Sequence, residues 1–179
     1  MTTRGRPRLV SPAMLAEAAG ELFLEQGYHQ TSIDDIATRA GVSRATFFNY
    51  FPAKADVLFW DIDEVLGAIE TLVTGGVEPL TAVIDQAKTI RHTDRPLIAT
   101  QAETMVVMED VWRVGPARVE RLRKIIAGQF PDSFTHWQIT AAIVSAALSW
   151  ATDSDNEKTL SIELQESLDR VGHTLKHSL

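Results

Sequence analysis

The 179-residue sequence predicts an all-α fold: a small three-helix domain followed by a larger helical one. Three observations carry this. Apolar residues recur at helical spacing along most of the chain, and nothing alternates with strand period for long. Clusters of Gly, Pro and Asp cut the pattern into helix-sized pieces. The stretch Thr31–Lys54 reads as two short helices joined by a tight turn and followed by a third start.

Taken in order, residues 1–10 carry three arginines without periodicity and are expected to form a flexible basic arm. Ser11-Pro12 opens a helix, a cap residue followed by proline at the first helical position. Met14, Leu15, Ala18, Ala19, Leu22 and Phe23 give it a buried side, and Gly27 stops it. Ser32 caps a short second helix buried through Ile33, Ile36 and Ala37, and Ser43 caps a third. Between them, Gly41 allows the sharp turn, since it can take a positive φ without a Cβ clash. Val42, Phe47 and Phe51 close the small core over about residues 10–51. Such a unit is a helix-turn-helix, whose second helix can enter the major groove of DNA.

After Pro52 a fourth helix is expected from Ala53 or Lys54 through Val73, as one continuous rod ended by Gly75-Gly76. Later helices are expected over about 78–92, 96–112, 116–129, 133–152 and 158–177. The breaks fall at 93–96, Gly115-Pro116, Phe130-Pro131-Asp132 and 152–156. The domain boundaries follow: arm 1–10, helix-turn-helix domain 11–53, second domain 54–179.

Composition limits the function. With no cysteine, disulfides and thiolate-metal sites are excluded. No run of about 18 apolar residues could span a bilayer, and the polar, basic N-terminus has no signal-peptide core, so a cytoplasmic location is expected. The net charge is −7. Residues 1–54 hold six Lys and Arg against five Asp and Glu, whereas residues 55–179 hold eleven against nineteen. The acidic excess lies wholly in the second part, and the first is near neutral, which permits DNA binding only if its cations share a face.

The residues Thr31, Ile36-Ala37, Ala40-Gly41-Val42-Ser43, Thr46-Phe47, Tyr50-Phe51 and Lys54 resemble the DNA-binding domain of the TetR family, the tetracycline-repressor-like bacterial regulators. The likeness covers roughly residues 10–60, and the Tyr-Phe-x-x-Lys ending is its most specific part. It implies that Arg44, Ala45, Thr46 and Phe48 face DNA, with Ser43 and Asn49 beside them. It implies phosphate contacts for Tyr50 and Lys54, and places Thr31 near the DNA backbone. It also implies that Phe47 rather than Phe48 is buried, which periodicity leaves open. The chemistry agrees: Arg44 can make a bidentate contact to guanine or pair with phosphate. Phe48 stands where tyrosine is common; it can meet a thymine methyl but not hydrogen-bond. Arg4-Gly5-Arg6-Pro7-Arg8 reads equally as a minor-groove hook or as an arm touching phosphates without specificity.

The second domain shows no phosphate loop, nucleophile elbow or metal-spaced set, so no enzyme, metal or cofactor is expected. His173 and His177, four residues apart, read as solvated. The resemblance implies an apolar small-molecule pocket here, for which Trp60, Met105, Met108 and Trp112 are the candidates. It also implies a homodimer formed through the last two helices. Small residues (Ala141, Ala142, Ala146, Ala147) and a Leu164/Leu168/Val171/Leu175 seam mark that surface, unless the seam is intramolecular. Together these imply a ligand-responsive transcriptional repressor that binds a palindromic operator as a homodimer and is released by a small, mainly apolar effector. The fourth helix would link the two domains. An architectural DNA binder without effector, or a small-molecule-handling enzyme with a vestigial DNA-binding unit, are the alternatives.

Overall fold

The computed structural model describes residues 11–96, 98, 108–153 and 157–177; the basic arm, Met105 and most of the helix expected over 96–112 lie outside them. Among the described residues there is no strand. Helix α1 (Pro12–Gln26) begins as the sequence predicts, with the Ser11 hydroxyl accepting from the Met14 amide at 3.4 Å. It stops at Gly27, whose φ of 88° an L side chain would strain. Helix α2 (Ile33–Arg39) carries a capping box, in which the Ser32 hydroxyl and the Asp35 carboxylate each accept from the other's backbone N–H. Gly41, at φ 71°, turns the chain into α3 (Arg44–Phe48), capped by Ser43 accepting from the Thr46 amide at 3.1 Å.

These helices bury Leu15, Leu22, Phe23, Ile36, Phe47 and Phe51 in one cluster, with Phe47 fully enclosed. The cluster does not end with the third helix. It takes in Val57, Leu58 and Phe59, together with Ile98, and Val111 and Val114 pack on its edge. The first core is therefore roofed by the elements that follow it.

That roof explains a correction. The fourth helix is not one rod: α4 (Lys54–Val57) and α5 (Trp60–Thr74) are separated at Leu58-Phe59. The amides of Leu58 and Phe59 bond back only three residues, to Ala55 and Asp56. Three consecutive side chains, Val57, Leu58 and Phe59, are all buried. A straight helix spreads three neighbours over about 200° of its circumference, so a bend is needed to turn all three to one core. Gly75 and Gly76 end α5 as expected.

Helix α6 (Pro79–Thr89) leads through a 3-10 turn at His92–Asp94 to α7 (Met108–Ala127), α8 (Ser133–Thr152) and α9 (Leu160–His177). The break expected at Gly115-Pro116 is absent, and Pro116 lies inside α7. Proline removes one amide and frees the carbonyl four residues back, here that of Trp112. Both Pro116 and Trp112 are exposed, so water can serve that carbonyl. Gly115, the neighbour of Pro116, packs on the Phe59 ring, where an added Cβ would lie 3.7 Å from it. Tertiary packing holds the helix through its breaker.

The second cluster joins α5, α6, α7, α8 and α9 through Leu66, Ile69, Val83, Ile126, Ile139, Ile143, Trp150 and Leu164. The α9 seam belongs to it. Leu164 is buried, and Leu168 and Val171 pack half-buried on the same cluster, so these residues hold α9 to its own chain. The Leu175 side chain lies outside the described residues. What α8 and α9 present outward is different: Phe134, Trp137, Leu148 and Ile162 are 67%, 49%, 55% and 47% exposed.

Candidate nucleic-acid interface

The turn between α2 and α3 leaves one side of α3 open. Ser43, Arg44, Ala45, Phe48, Asn49 and Tyr50 are exposed and Thr46 is half-buried, while Phe47 points into the core. Five residues of helix suffice, because Ser43 caps its start and Phe47 and Phe51, with ring centroids 5.6 Å apart, fasten its inner side. The Ser43 and Thr46 hydroxyls bond each other at 2.8 Å. Arg44 donates to Asp34 on α2 at 2.7 Å and lies over the Phe48 ring, 5.5 Å from its centroid. A cation over an aromatic ring thus stands on the open face.

Two of the candidate residues turn inward. Thr31 is 1% exposed; its hydroxyl donates to the Gly27 carbonyl at 2.9 Å and closes the α1–α2 turn, so its side chain serves the fold. The Lys54 ammonium donates to the carbonyls of Tyr28 and Thr31 at 2.7 and 2.8 Å, and sits 4.1 Å from the centroid of the Tyr28 ring. Two carbonyls and a π face take the three directions in which an ammonium can donate. Burial lowers the Lys54 pKa, opposed by the charge of Asp110.

Asp110 belongs to α7, and it is the residue that the sequence reading missed. Its carboxylate accepts from the Tyr28 hydroxyl and pairs with Arg113. Burial first, and then this bond, raise the Tyr28 pKa. Desolvation works against the Asp110 carboxylate, yet its bonds to Tyr28 and Arg113 hold its pKa below the ordinary value. Further along α7, Arg118 grips Asp56 of α4 at 3.0 Å and Asp63 of α5 at 2.6 Å. Burial opposes the Arg118 charge, but the two carboxylates outweigh it and raise its pKa. Arg121 adds a bidentate bond to Glu70, both oxygens at 2.7 Å. One face of α7 therefore holds the helix-turn-helix unit through Asp110 and straddles the α4–α5 bend through Arg118. Only the i, i+3 and i, i+8 recurrence of charge along 110–121 hinted at this, and such patterns are usually solvated.

Of the candidate ligand residues, the side chains of Trp60 and Trp112 are described. Trp60 packs edge-on to Phe51, 5.9 Å between centroids, on the rim of the first core. It lines a groove of about 260 Å³ between α1 and α5, with Phe23, Leu58 and Asp61. Trp112 is 73% exposed. Met108 begins α7, but its side chain, like all of Met105, lies outside the described residues. Among the described residues no cluster of His, Cys, Asp and Glu could hold a metal ion, and no helix is long and apolar enough to cross a membrane.

Residues 15–59 match the family described as bacterial regulatory proteins, tetR family. The chain is 30% identical over 167 residues to the HTH-type transcriptional regulator HbdR of Aromatoleum sp., covering 81% of this chain and 71% of that protein. It is 26% identical over 181 residues to the putative mycofactocin biosynthesis transcriptional regulator MftR of Mycobacterium tuberculosis, covering 92% and 88%. Among solved structures, Bacillus subtilis FadR in complex with stearoyl-CoA aligns over 90% of this chain and 97% of that one, at TM-score 0.55 and 19% identity. Thermus thermophilus FadR, a repressor in complex with lauroyl-CoA, aligns over 90% and 93% at TM-score 0.52 and 21% identity. The capped α2–turn–α3 unit, its open face and the helical second domain agree with these likenesses, and the chain belongs to the TetR family of bacterial transcription regulators.

Proposed function

We propose that this protein is a cytoplasmic, homodimeric repressor that binds a near-palindromic operator and leaves it when a small, mainly apolar effector binds the second domain. The observation that carries the reading is the open face of α3, with Arg44 and Phe48 exposed beside Asn49 and Tyr50 over a fully buried Phe47. The arm 1–10, the unit 11–53 and the helices from 54 onward would be its three functional parts. Ser43, Ala45 and Thr46 would line the contact, with Arg44 and Phe48 reading bases and Tyr50 meeting phosphate.

The homodimer is supported by the outer stripe of α8. Phe134, Trp137, Ala141, Val144 and Leu148 recur at intervals of three and four residues along its outer side, and the last four of them line with Val119 a groove of about 400 Å³. A contiguous apolar stripe marks an association surface, and a second copy packed about a two-fold axis covers it with itself. Two recognition helices would then face half-sites about one helical turn apart.

The effector reading rests on the acyl-CoA complexes of the two FadR proteins and on α7, which touches both domains. A long-chain acyl-CoA that shifts α7 would strain the Asp110–Tyr28 bond and the Arg118 grip on the α4–α5 bend. A ligand acts only by binding the two forms unequally, and about 1–3 kcal/mol of coupling changes operator affinity about 5–150-fold. The test is a gel shift with a duplex selected by the protein from a genomic library, titrated with lauroyl-CoA and stearoyl-CoA. Specific binding relieved by either supports the reading. Failure to select any duplex sinks the regulator, and release by neither compound sinks the acyl-CoA effector.

A further inference from the structure

Arg44 is restrained twice. Its Nη1 donates to Asp34 Oδ2 at 2.7 Å, and its guanidinium lies over the Phe48 ring at 5.5 Å from the centroid. The ring limits the tilt of the group, and the carboxylate sets its rotation. The pair is exposed, with 54% of the Arg44 and 64% of the Asp34 side chain open to solvent. Exposed pairs add little to stability, and the capping carboxylate of α2 is already supplied by Asp35. Asp34 nevertheless places a negative charge beside the recognition helix of a protein that must approach a polyanion.

A guanidinium on a DNA face has two kinds of acceptor. Phosphate oxygens are charged and available at every sequence; guanine O6 and N7 are neutral and specific. The bond to Asp34 uses Nη1 and leaves the Nε and Nη2 hydrogens, a parallel pair that matches O6 and N7. A carboxylate already on the guanidinium also disfavours a phosphate as its next partner, because the two anions repel, whereas a neutral base edge meets no such penalty. We propose that Asp34 is a specificity-determining residue for DNA recognition: it holds Arg44 in the orientation for a guanine edge and turns it away from phosphate. The inference rests on the reading of Arg44 as a base-contacting residue.

The full-length protein is used to select duplexes from a randomised library. Fluorescence anisotropy then compares a selected duplex with a scrambled one for wild type, Asp34→Asn, Arg44→Ala and the double variant, with circular dichroism confirming that each is folded. Asp34→Asn is expected to lower the selected-to-scrambled affinity ratio about 5–150-fold, the discrimination of one good bidentate contact, with scrambled affinity unchanged or raised. In the Arg44→Ala background the same substitution is expected to leave the ratio unchanged. Repeating the selection with Asp34→Asn should lose preference at one G·C position in each half-site. An unchanged ratio in Asp34→Asn overturns the proposal, and so does an equal loss with and without Arg44. If wild type selects no duplex at all, the regulator reading itself fails, a result distinct from either.

Discussion

Replacing Lys54 with Met separates two roles that the same residue could fill. In the structure its ammonium bridges the carbonyls of Tyr28 and Thr31 at 2.7 and 2.8 Å, and both residues are buried, at 2% and 1% exposure. Methionine keeps most of the stem and removes the donor. A hydrogen bond from a charged group contributes about 1.5–3 kcal/mol; the Tyr28 carbonyl keeps the Thr31 amide as a donor, whereas the Thr31 carbonyl left unsatisfied costs about 1–3 kcal/mol. Against this stands relief from desolvating the ammonium, a cost visible in its lowered pKa. The net loss is therefore about 2–4 kcal/mol, of the size of one or two such bonds. Urea denaturation followed by circular dichroism measures it. A second reading comes from salt: a lysine that neutralises one phosphate adds about 0.9 to the slope of log K against log salt. The internal role predicts that the folded fraction of Lys54→Met keeps the wild-type slope. A variant as stable as wild type, with a slope smaller by about one phosphate, would refute the internal role and return Lys54 to the DNA.

Other substitutions test the remaining parts. Leu148→Glu or Trp137→Glu, on the exposed stripe of α8, should yield a folded monomer in analytical ultracentrifugation, whereas Leu168→Asp should lower the melting temperature, because Leu168 packs on its own chain. Phe47→Ala removes a fully buried ring and should cost about 3–5 kcal/mol in denaturation, enough to abolish DNA binding by unfolding α3. Asp110→Asn should weaken the tie between α7 and Tyr28 and reduce the effector's influence on operator affinity, with effector affinity measured separately by calorimetry. Acid should destabilise the fold in a defined way. Asp110, Asp35 and Asp132 all have pKa values held below their ordinary value by hydrogen bonds to their charged forms. The unfolded chain then binds more protons than the native one, so stability is fully present above the unfolded carboxylate range and falls as pH drops through the depressed values. Urea midpoints at pH 7, 5 and 3 read the fall, and Asp35→Asn should flatten part of it.

The parts of the fold that local chemistry determines were legible in the sequence. Ser11, Ser32 and Ser43 cap the helices that they precede, Gly27 and Gly41 take the positive φ that a stop and a turn require, and α8 spans 133–152 as its pattern predicts. The misses share one cause, which is tertiary packing. Helical periodicity cannot show that Val57, Leu58 and Phe59 all face one core, nor that Phe59 packed on Gly115 keeps α7 whole through Pro116. It identifies an apolar seam in α9 but not which body covers it, and the chain itself covers Leu164, Leu168 and Val171. At the candidate DNA face the resemblance supplied the residues, and the structure supplied their partners. The Arg44–Asp34 pair and the inward turn of Lys54 depend on side-chain directions that no spacing encodes. Asp110 passed as one more helical acid, because its meaning lies in Tyr28, 82 residues away along the chain.

In the proposed function, one face of α3 reads DNA under the control of the helices behind it. The most direct measurement is anisotropy of a labelled duplex, selected by the protein, titrated first with the full-length chain and then with stearoyl-CoA. Specific binding by two chains per duplex is expected, lost with Arg44→Ala and reversed by the effector over about one to two orders of magnitude in affinity. Binding of equal strength to any duplex, unaffected by Arg44→Ala and by the acyl-CoA, would contradict it.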